Sequence, residues 1–162
     1  MAHLFSAEDI IKAAMEIERR GRQVYTKAAA AAQDSRVKQF LEFFSAEEAR
    51  HEEVFAKMAE RLSSHGPSRE SEPSEYLEYL RHLLNSHALF VGDTSDQRLA
   101  ESGNMKAAIE LAMRIEKDTI LFFPEIQYLI PPAEYGVIRA CIEEERSHFR
   151  QLNRMLASLE SV

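Results

Sequence analysis

A glutamate and a histidine stand three residues apart at two places in the chain, and each pair is preceded by a second glutamate. The first copy reads Glu47-Glu48-Ala49-Arg50-His51 and the second reads Glu144-Glu145-Arg146-Ser147-His148. At about 100° per residue, helical residues three apart lie on one face, about one turn from each other. A carboxylate and an imidazole so placed can bind the same metal ion. One such pair is weak evidence, because both residue types are common on solvated helix faces, but the repetition is specific.

A further glutamate precedes each copy at a nearly equal distance. Ile17-Glu18 is followed by Tyr25, and Ile115-Glu116 is followed by Phe123, so each Glu has an aromatic residue seven positions later. The chain therefore reads as two helical hairpins. Each hairpin contributes one Glu from its first helix and a Glu-x-x-His pair from its second.

The rest of the sequence favours helices that can position these residues. Gly and Pro are scarce, at five each, and 45% of the residues are hydrophobic, which suits one helical domain over residues 1–162. Apolar residues at helical spacing predict helices at about 7–33, 36–63, 104–123 and 132–159. A crossover at 64–103 is predicted to contain a short helix at about 75–91. Pro124 predicts a kink or a break after Phe123.

Four of these glutamates interrupt the rows of apolar residues on their helices: Glu18, Glu48, Glu116 and Glu145. Burying a carboxylate is costly unless it is paired or binds a metal. Packed together, the hairpins would bring four carboxylates and two imidazoles into one core. Ligation rich in oxygen, with one His for each metal, suits iron or manganese better than zinc. Two divalent cations would neutralise the four carboxylates.

Composition also excludes several classes of protein. The net charge of -7 and the absence of a dense Lys/Arg run argue against nucleic-acid binding. Cys141 is the single cysteine, so neither an intrachain disulfide nor a cysteine-rich metal centre can form. Residues 1–9 do not resemble a signal peptide, and no stretch is apolar for the length of a membrane span. We therefore expect a cytoplasmic protein that does not bind membranes.

With these motifs the chain resembles the ferritin-like superfamily, specifically the rubrerythrin-like di-iron carboxylate proteins, over nearly all of its four long helices. The resemblance implies an all-α, ferritin-like four-helix bundle of two hairpins and a crossover. It also implies two bound iron ions, with manganese as the alternative, and bridging roles for Glu48 and Glu145. The implied ligands are Glu18, Glu48, His51, Glu116, Glu145 and His148. Tyr25 matches an aromatic residue of the family and is expected either beside the ligands or as a core residue with a satisfied hydroxyl.

Two features depart from the rubrerythrin pattern. Rubrerythrins carry a rubredoxin-like iron–cysteine centre, which a chain with one cysteine cannot build. They also carry a carboxylate one turn after the third-helix ligand, where this chain has Thr119, with Asp118 beside it. Both departures favour a more symmetric, ferritin-like iron oxidation site over a dedicated peroxide reductase.

Three functions are compatible with this pattern. The leading expectation is a redox enzyme that oxidises Fe(II) with O2 or hydrogen peroxide and depends on an external electron donor. The alternatives are an iron storage or delivery protein that depends on an assembly, and a helical interaction module without metal. A homodimer or higher oligomer is expected, because the apolar side of residues 75–91 needs a cover. The other histidines are interpreted as surface or packing residues: His3, His65, His82 and His87.

Overall fold

A computed structural model describes residues 7–63, 74–91 and 104–160 of the chain. In these ranges the chain is all-helical and contains no strand, which confirms the all-α part of the predicted fold class. The helices are α1 (Ala7–Ala31), α2 (Ser35–Ser63), α3 (Ser74–Ser86), α4 (Met105–Ile126) and α5 (Tyr135–Glu160), with a 3-10 turn at Pro132–Glu134. No helix in the described ranges has both the length and the apolar character needed to cross a bilayer.

Local sequence signals account for two of the helix starts. The carboxylate of Asp34 accepts hydrogen bonds from the backbone N–H groups of Arg36 (2.8 Å) and Val37 (3.2 Å), which caps α2. The side chain of Asn104 accepts one from the N–H of Ala107 at 3.0 Å and caps α4. Each cap satisfies N–H groups that have no partner inside the helix.

Three helix boundaries differ from the prediction. Helix α4 does not break after Phe123 but continues through Pro124 to Ile126. Helix α3 ends at Ser86 rather than near residue 91, because the chain turns at His87, whose carbonyl accepts the N–H of Phe90 at 2.8 Å. The last long helix becomes α-helical only at Tyr135, after the 3-10 turn. Pro124 has no N–H to donate to the carbonyl of Ile120, so the helix continues at the cost of one hydrogen bond, and Ile126 beyond it is fully buried.

The apolar interior forms two clusters of buried side chains. The first cluster includes Ile10, Ile17, Phe55, Met58, Phe122, Phe123, Ile138 and Cys141. The second includes Val24, Leu41, Phe44, Ile109, Ile115 and Leu152. Each of the four long helices contributes to both clusters, so the helices share one core along their length.

The order in which each helix meets the clusters gives its direction. Helices α1 and α5 contribute to the first cluster with their N-terminal parts and to the second with their C-terminal parts. Helices α2 and α4 do the reverse. Thus α1 is antiparallel to α2, α4 is antiparallel to α5, and α2 is parallel to α4. Two successive parallel helices need a long connection between them, and residues 64–103 separate α2 from α4 in the sequence.

Helix α3 packs its apolar side against the chain's own first cluster. Leu77 and Leu80 are buried there, and the hydroxyl of Tyr76 donates to the backbone oxygen of Glu125 at 3.2 Å. The apolar side predicted for residues 75–91 is therefore covered within the chain. This removes the reason that the sequence offered for a homodimer, and the oligomeric state stays a prediction.

The packing of α3 predicts unequal costs for two Leu→Ala substitutions. Leu80 is fully buried, whereas 53% of Leu121 is exposed. We expect Leu80→Ala to lower the free energy of unfolding by about 2–5 kcal/mol, because it removes buried methyl groups and leaves a cavity. Leu121→Ala deletes the same atoms and should cost about 1 kcal/mol or less. Urea unfolding of the metal-free protein measures both, and equal costs would mean that α3 is not part of the core.

Candidate metal centre

Six titratable side chains occupy the section between the two apolar clusters. Helix α1 contributes Glu18, and helix α4 contributes Glu116. Helices α2 and α5 each contribute a Glu-x-x-His pair: Glu48 with His51, and Glu145 with His148. All six side chains are buried, with at most 4% of any residue exposed. The structure therefore brings every ligand position implied by the sequence into one dry region of the core.

The six residues form two overlapping groups of four. Glu18, Glu48, His51 and Glu145 form one group. Glu48, Glu116, Glu145 and His148 form the other. In each group, one nitrogen or oxygen atom from every residue lies within 4.8 Å of the others. Glu48 and Glu145 belong to both groups, so the two groups could hold two metal ions side by side.

Both histidines turn the same ring nitrogen toward the carboxylates. The Nδ1 atom of His51 lies 2.7 Å from Oε1 of Glu145 and 3.7 Å from Oε2 of Glu18. The Nδ1 atom of His148 lies 3.2 Å from Oε2 of Glu145 and 3.9 Å from Oε2 of Glu116. The ring centroids of the two histidines are 6.3 Å apart. Each imidazole can therefore offer its Nδ1 lone pair to the group on its own side.

Burial and mutual repulsion dominate the electrostatics of this cluster. Burial, reinforced by the charges of neighbouring carboxylates, raises the pKa of Glu18, Glu48 and Glu116 well above its usual range. For Glu145, burial is outweighed by contacts with Glu116 and both histidines, and its pKa is lowered. For His51, burial is outweighed by Glu145 and Glu144, and its pKa is raised to about 10. Without a cation, protons must therefore supply part of the positive charge that the cluster requires.

Several polar atoms of the cluster have no hydrogen-bond partner among the described residues. They are both carboxylate oxygens of Glu18, Nδ1 of His51 and Oε1 of Glu145. The last two atoms lie 2.7 Å apart, but they are not aligned as a hydrogen bond. A buried polar atom without a partner costs about 1–3 kcal/mol, so native cores rarely keep one without a function.

The donor set of the cluster fits divalent cations. Once deprotonated, all the unpartnered atoms are lone-pair donors, and a cation would satisfy them together. Each group offers three carboxylates and one imidazole, and oxygen-rich sets of this kind suit iron or manganese. The residues present therefore fit a pair of such ions.

Tyr25 lies directly beside the cluster. Its hydroxyl donates a hydrogen bond of 2.5 Å to Oε1 of Glu116, and its ring packs against Phe44 with the centroids 5.7 Å apart. Burial, with the charge of Glu116 next in size, raises the pKa of this phenol well above its usual range, so the hydroxyl remains a donor. Tyr25 is therefore a core aromatic residue whose hydroxyl is satisfied by one of the cluster carboxylates, and its role beside a bound metal stays a prediction.

Asp118 does not replace the carboxylate that is missing at Thr119. Its Oδ2 accepts the N–H of Ala88 at 2.9 Å and so faces the segment after α3. Thr119 instead contacts His87, whose Nε2 lies 3.1 Å from the threonine Oγ1. Because Nδ1 of His87 accepts the N–H of Leu89, Nε2 must carry the proton and donate it. His87 is thus a packing residue, as expected, and burial lowers its pKa to about 4.

The sequence reasoning missed Glu144 as a residue of this region. Its Oε2 lies 2.6 Å from Nε2 of His51, on the side of the ring that faces away from the cluster. The signal that could have found it is the glutamate that precedes each Glu-x-x-His pair, Glu47 in the first copy and Glu144 in the second.

Comparison with protein-family models, with curated proteins and with solved structures gave no match to this chain. Its own residues establish a helical protein with buried Glu and His groups that could bind metal. A functional conclusion must therefore be argued from these groups.

The carboxylate oxygens of Glu18 have no hydrogen-bond partner among the described residues. Replacing Glu18 should therefore stabilise the metal-free protein and destabilise the metal-bound protein, each relative to the wild type. In excess EDTA, we expect Glu18→Leu to raise the free energy of unfolding by about 1–3 kcal/mol, because it replaces an unsatisfied buried carboxyl with an apolar group of similar size. Wild-type protein should gain about 2.7 kcal/mol for each Mn(II) bound at a free concentration about 100 times its dissociation constant. The variant should lose a large part of that gain. Urea unfolding with and without Mn(II) measures both effects.

Glu53→Leu is the matched control for this experiment. The side chain of Glu53 is 66% exposed on α2 and pairs with Lys57 on the surface. We expect this variant to lie within about 0.5 kcal/mol of the wild type under both conditions. Destabilisation by Glu18→Leu in EDTA would contradict the interpretation of Glu18 as an unsatisfied group.

Proposed function

We propose that the chain is a ferritin-like, rubrerythrin-like di-iron carboxylate protein that oxidises Fe(II) with O2 or hydrogen peroxide. One observation carries the proposal: two groups of four ligand atoms lie side by side in a dry core and share Glu48 and Glu145. Shared carboxylates are what a pair of metal ions needs in order to act together on one oxidant.

The directions of the helices support the ferritin-like arrangement. Two antiparallel hairpins joined by a long crossover, with α2 parallel to α4, form one of the bundle topologies that place carboxylate di-metal sites between four helices. In such a site, two helices give one Glu each and the other two give Glu-x-x-His pairs. The four long helices divide the six residues in the same way.

Each residue has a role in the proposed site. Glu18 and His51 would hold one ion, Glu116 and His148 would hold the other, and the two shared carboxylates would bridge them. Iron is the proposed metal, and manganese is the alternative that the same donors accept. Four carboxylates and two divalent ions leave the buried site close to neutral, which removes the repulsion among the carboxylates.

The bound metal pair would supply two electrons, one from each Fe(II), to the oxidant. With hydrogen peroxide and two protons the products are two Fe(III) and two waters, and with O2 and two protons they are two Fe(III) and hydrogen peroxide. The surrounding residues set the conditions for this reaction. The two apolar clusters exclude bulk water from both ends of the site, and Tyr25 fixes the orientation of Glu116 through its hydroxyl.

Repeated turnover requires electrons from outside the chain. Cys141 is the single cysteine, so the chain cannot build an iron–cysteine centre of its own. Burial raises the pKa of the Cys141 thiol to about 11, so it stays protonated and takes no part in thiolate chemistry. We therefore propose an external reductant.

The proposal predicts the iron content of two matched variants. We expect about two irons per chain in wild-type protein loaded anaerobically with Fe(II) and desalted. Glu48→Ala with Glu145→Ala should abolish specific binding, because both shared ligands are lost. Glu53→Ala with Glu143→Ala removes the same charge from exposed positions on the same two helices and should leave the iron content unchanged. Metal analysis per chain measures all three proteins.

Stopped-flow mixing of the iron-loaded protein with O2 or with hydrogen peroxide then tests the reaction. We expect ferric absorbance to develop with at least one oxidant in the wild type and in the control variant. Iron that stays ferrous with both oxidants would overturn the redox function but leave a metal site. Absence of specifically bound iron in the wild type would overturn both the redox function and the metal site, and it would favour a helical module without metal.

A further inference from the structure

Glu144 connects the metal cluster to the surface through His51. Its Oε2 lies 2.6 Å from Nε2 of His51, and the same oxygen accepts a hydrogen bond from the guanidinium of Arg50. The side chain of Glu144 is 38% exposed, whereas that of His51 is fully buried. A half-exposed ion pair therefore backs a buried residue of the cluster.

This contact fixes the tautomer of His51. Nδ1 of the ring faces Glu145 and Glu18, so it must keep its lone pair free in order to bind a metal. The proton then lies on Nε2 and is donated to Glu144. A carboxylate on the far side of a metal-binding imidazole orients the ring and makes its coordinating nitrogen more basic. Arg50 provides the positive charge that keeps Glu144 in place.

The second half of the repeat lacks this arrangement. Glu47 occupies the position that corresponds to Glu144, but its Oε2 accepts a hydrogen bond from Arg50 at 2.9 Å. The ring of His148 packs instead against Phe43 and Phe44, at centroid distances of 6.0 and 4.9 Å. Among the described residues, no carboxylate accepts a hydrogen bond from Nε2 of His148.

One residue of the repeat contributes directly to the difference. Arg50 precedes His51, and Ser147 precedes His148 at the corresponding position. The long cationic side chain of Arg50 draws Glu47 and Glu144 to one side of the site, which Ser147 cannot do. The two halves therefore have similar ligands but different surroundings.

We propose that Glu144 is a positioning residue that makes the two metal positions unequal, so that the position beside His51 binds its ion first and more tightly. The inference rests on the metal-binding role proposed above. Loss of a carboxylate behind a metal-binding imidazole lowers metal affinity by about 10–100-fold. The two positions of the wild type should differ by a factor of the same order.

Anaerobic calorimetric titration with Co(II) tests this inequality. We expect two resolved steps in the wild type. Glu144→Ala should weaken the tighter step by about 10–100-fold and leave the weaker step unchanged. Glu144→Gln should lose less Co(II) affinity at the tighter step, because its amide oxygen can still accept a hydrogen bond from Nε2 of His51 and hold the ring. The matched control is Glu47→Ala, which makes the same change at the corresponding position of the repeat and should preserve both steps.

Proton NMR of the Co(II)-loaded protein separates positioning from a general structural effect. The ring N–H of a histidine bound to Co(II) gives a strongly shifted signal. We expect a slowly exchanging signal from His51 in the wild type and in Glu144→Gln, and fast exchange or loss of this signal in Glu144→Ala. The signal from His148 should be the same in all three proteins.

The outcomes distinguish this inference from the proposed function. Two equal Co(II) affinities in the wild type, or a tighter step that Glu144→Ala does not weaken, would overturn the inequality and leave the metal site standing. Equal weakening by Glu47→Ala would show a general effect of charge and would also overturn it. A wild type that binds no Co(II) or Fe(II) would overturn the proposed function and this inference together.

Discussion

The structure depends on one electrostatic constraint, which is that four carboxylates share a dry section of a helical core. Apolar clusters lie on both sides of this section, so water cannot solvate the charges. Burial raises the pKa of three of these groups, and several of their polar atoms have no hydrogen-bond partner within the described part of the chain. A core of this kind is unfavourable by itself and becomes favourable when cations occupy it, because the same burial that penalises lone charges strengthens their attraction to a metal ion. We therefore expect the stability of the bundle to depend on whether cations occupy the site.

The two halves of the chain repeat the same motifs in this section, but some positions next to these motifs differ between the halves. Glu18 and Glu116 correspond, as do the two Glu-x-x-His pairs, but the residues one turn after the first glutamates are Gly21 and Thr119. Gly21 lies against Glu48, whose Cδ would be 3.5 Å from an added Cβ, whereas Thr119 accepts the hydrogen bond of His87 from the crossover. The described part of the crossover therefore meets the two equivalent positions differently, with a hydrogen bond at Thr119 but a bare backbone against Glu48 at Gly21. The Arg50–Glu144 pair is another difference between the halves, because Ser147 occupies the position that corresponds to Arg50.

The segment between the hairpins is an integral part of the fold. Helix α3 completes the first apolar cluster, and the turn after it is fixed by several kinds of contact. Arg20 donates to the carbonyl of Leu89 at 3.0 Å and lies over the ring of Phe90, while Asp118 accepts the N–H of Ala88. These contacts join the turn to both α1 and α4. The crossover therefore ties the first helix of one hairpin to the first helix of the other.

The sequence by itself determined the helical class and the six residues of the cluster, because helical periodicity is a local property and places Glu and His on the same face wherever they are three residues apart. It did not determine the ends of α3 and α4. The end of α3 depends on the contacts of His87, and α4 continues past Pro124 to Ile126, which is buried in the first apolar cluster. Only the tertiary structure decided that Glu144 backs His51 while Glu47 pairs with Arg50, and that Asp118 faces away from the cluster. Two of these three contacts join different elements, and periodicity within one helix does not encode which neighbour a side chain will reach.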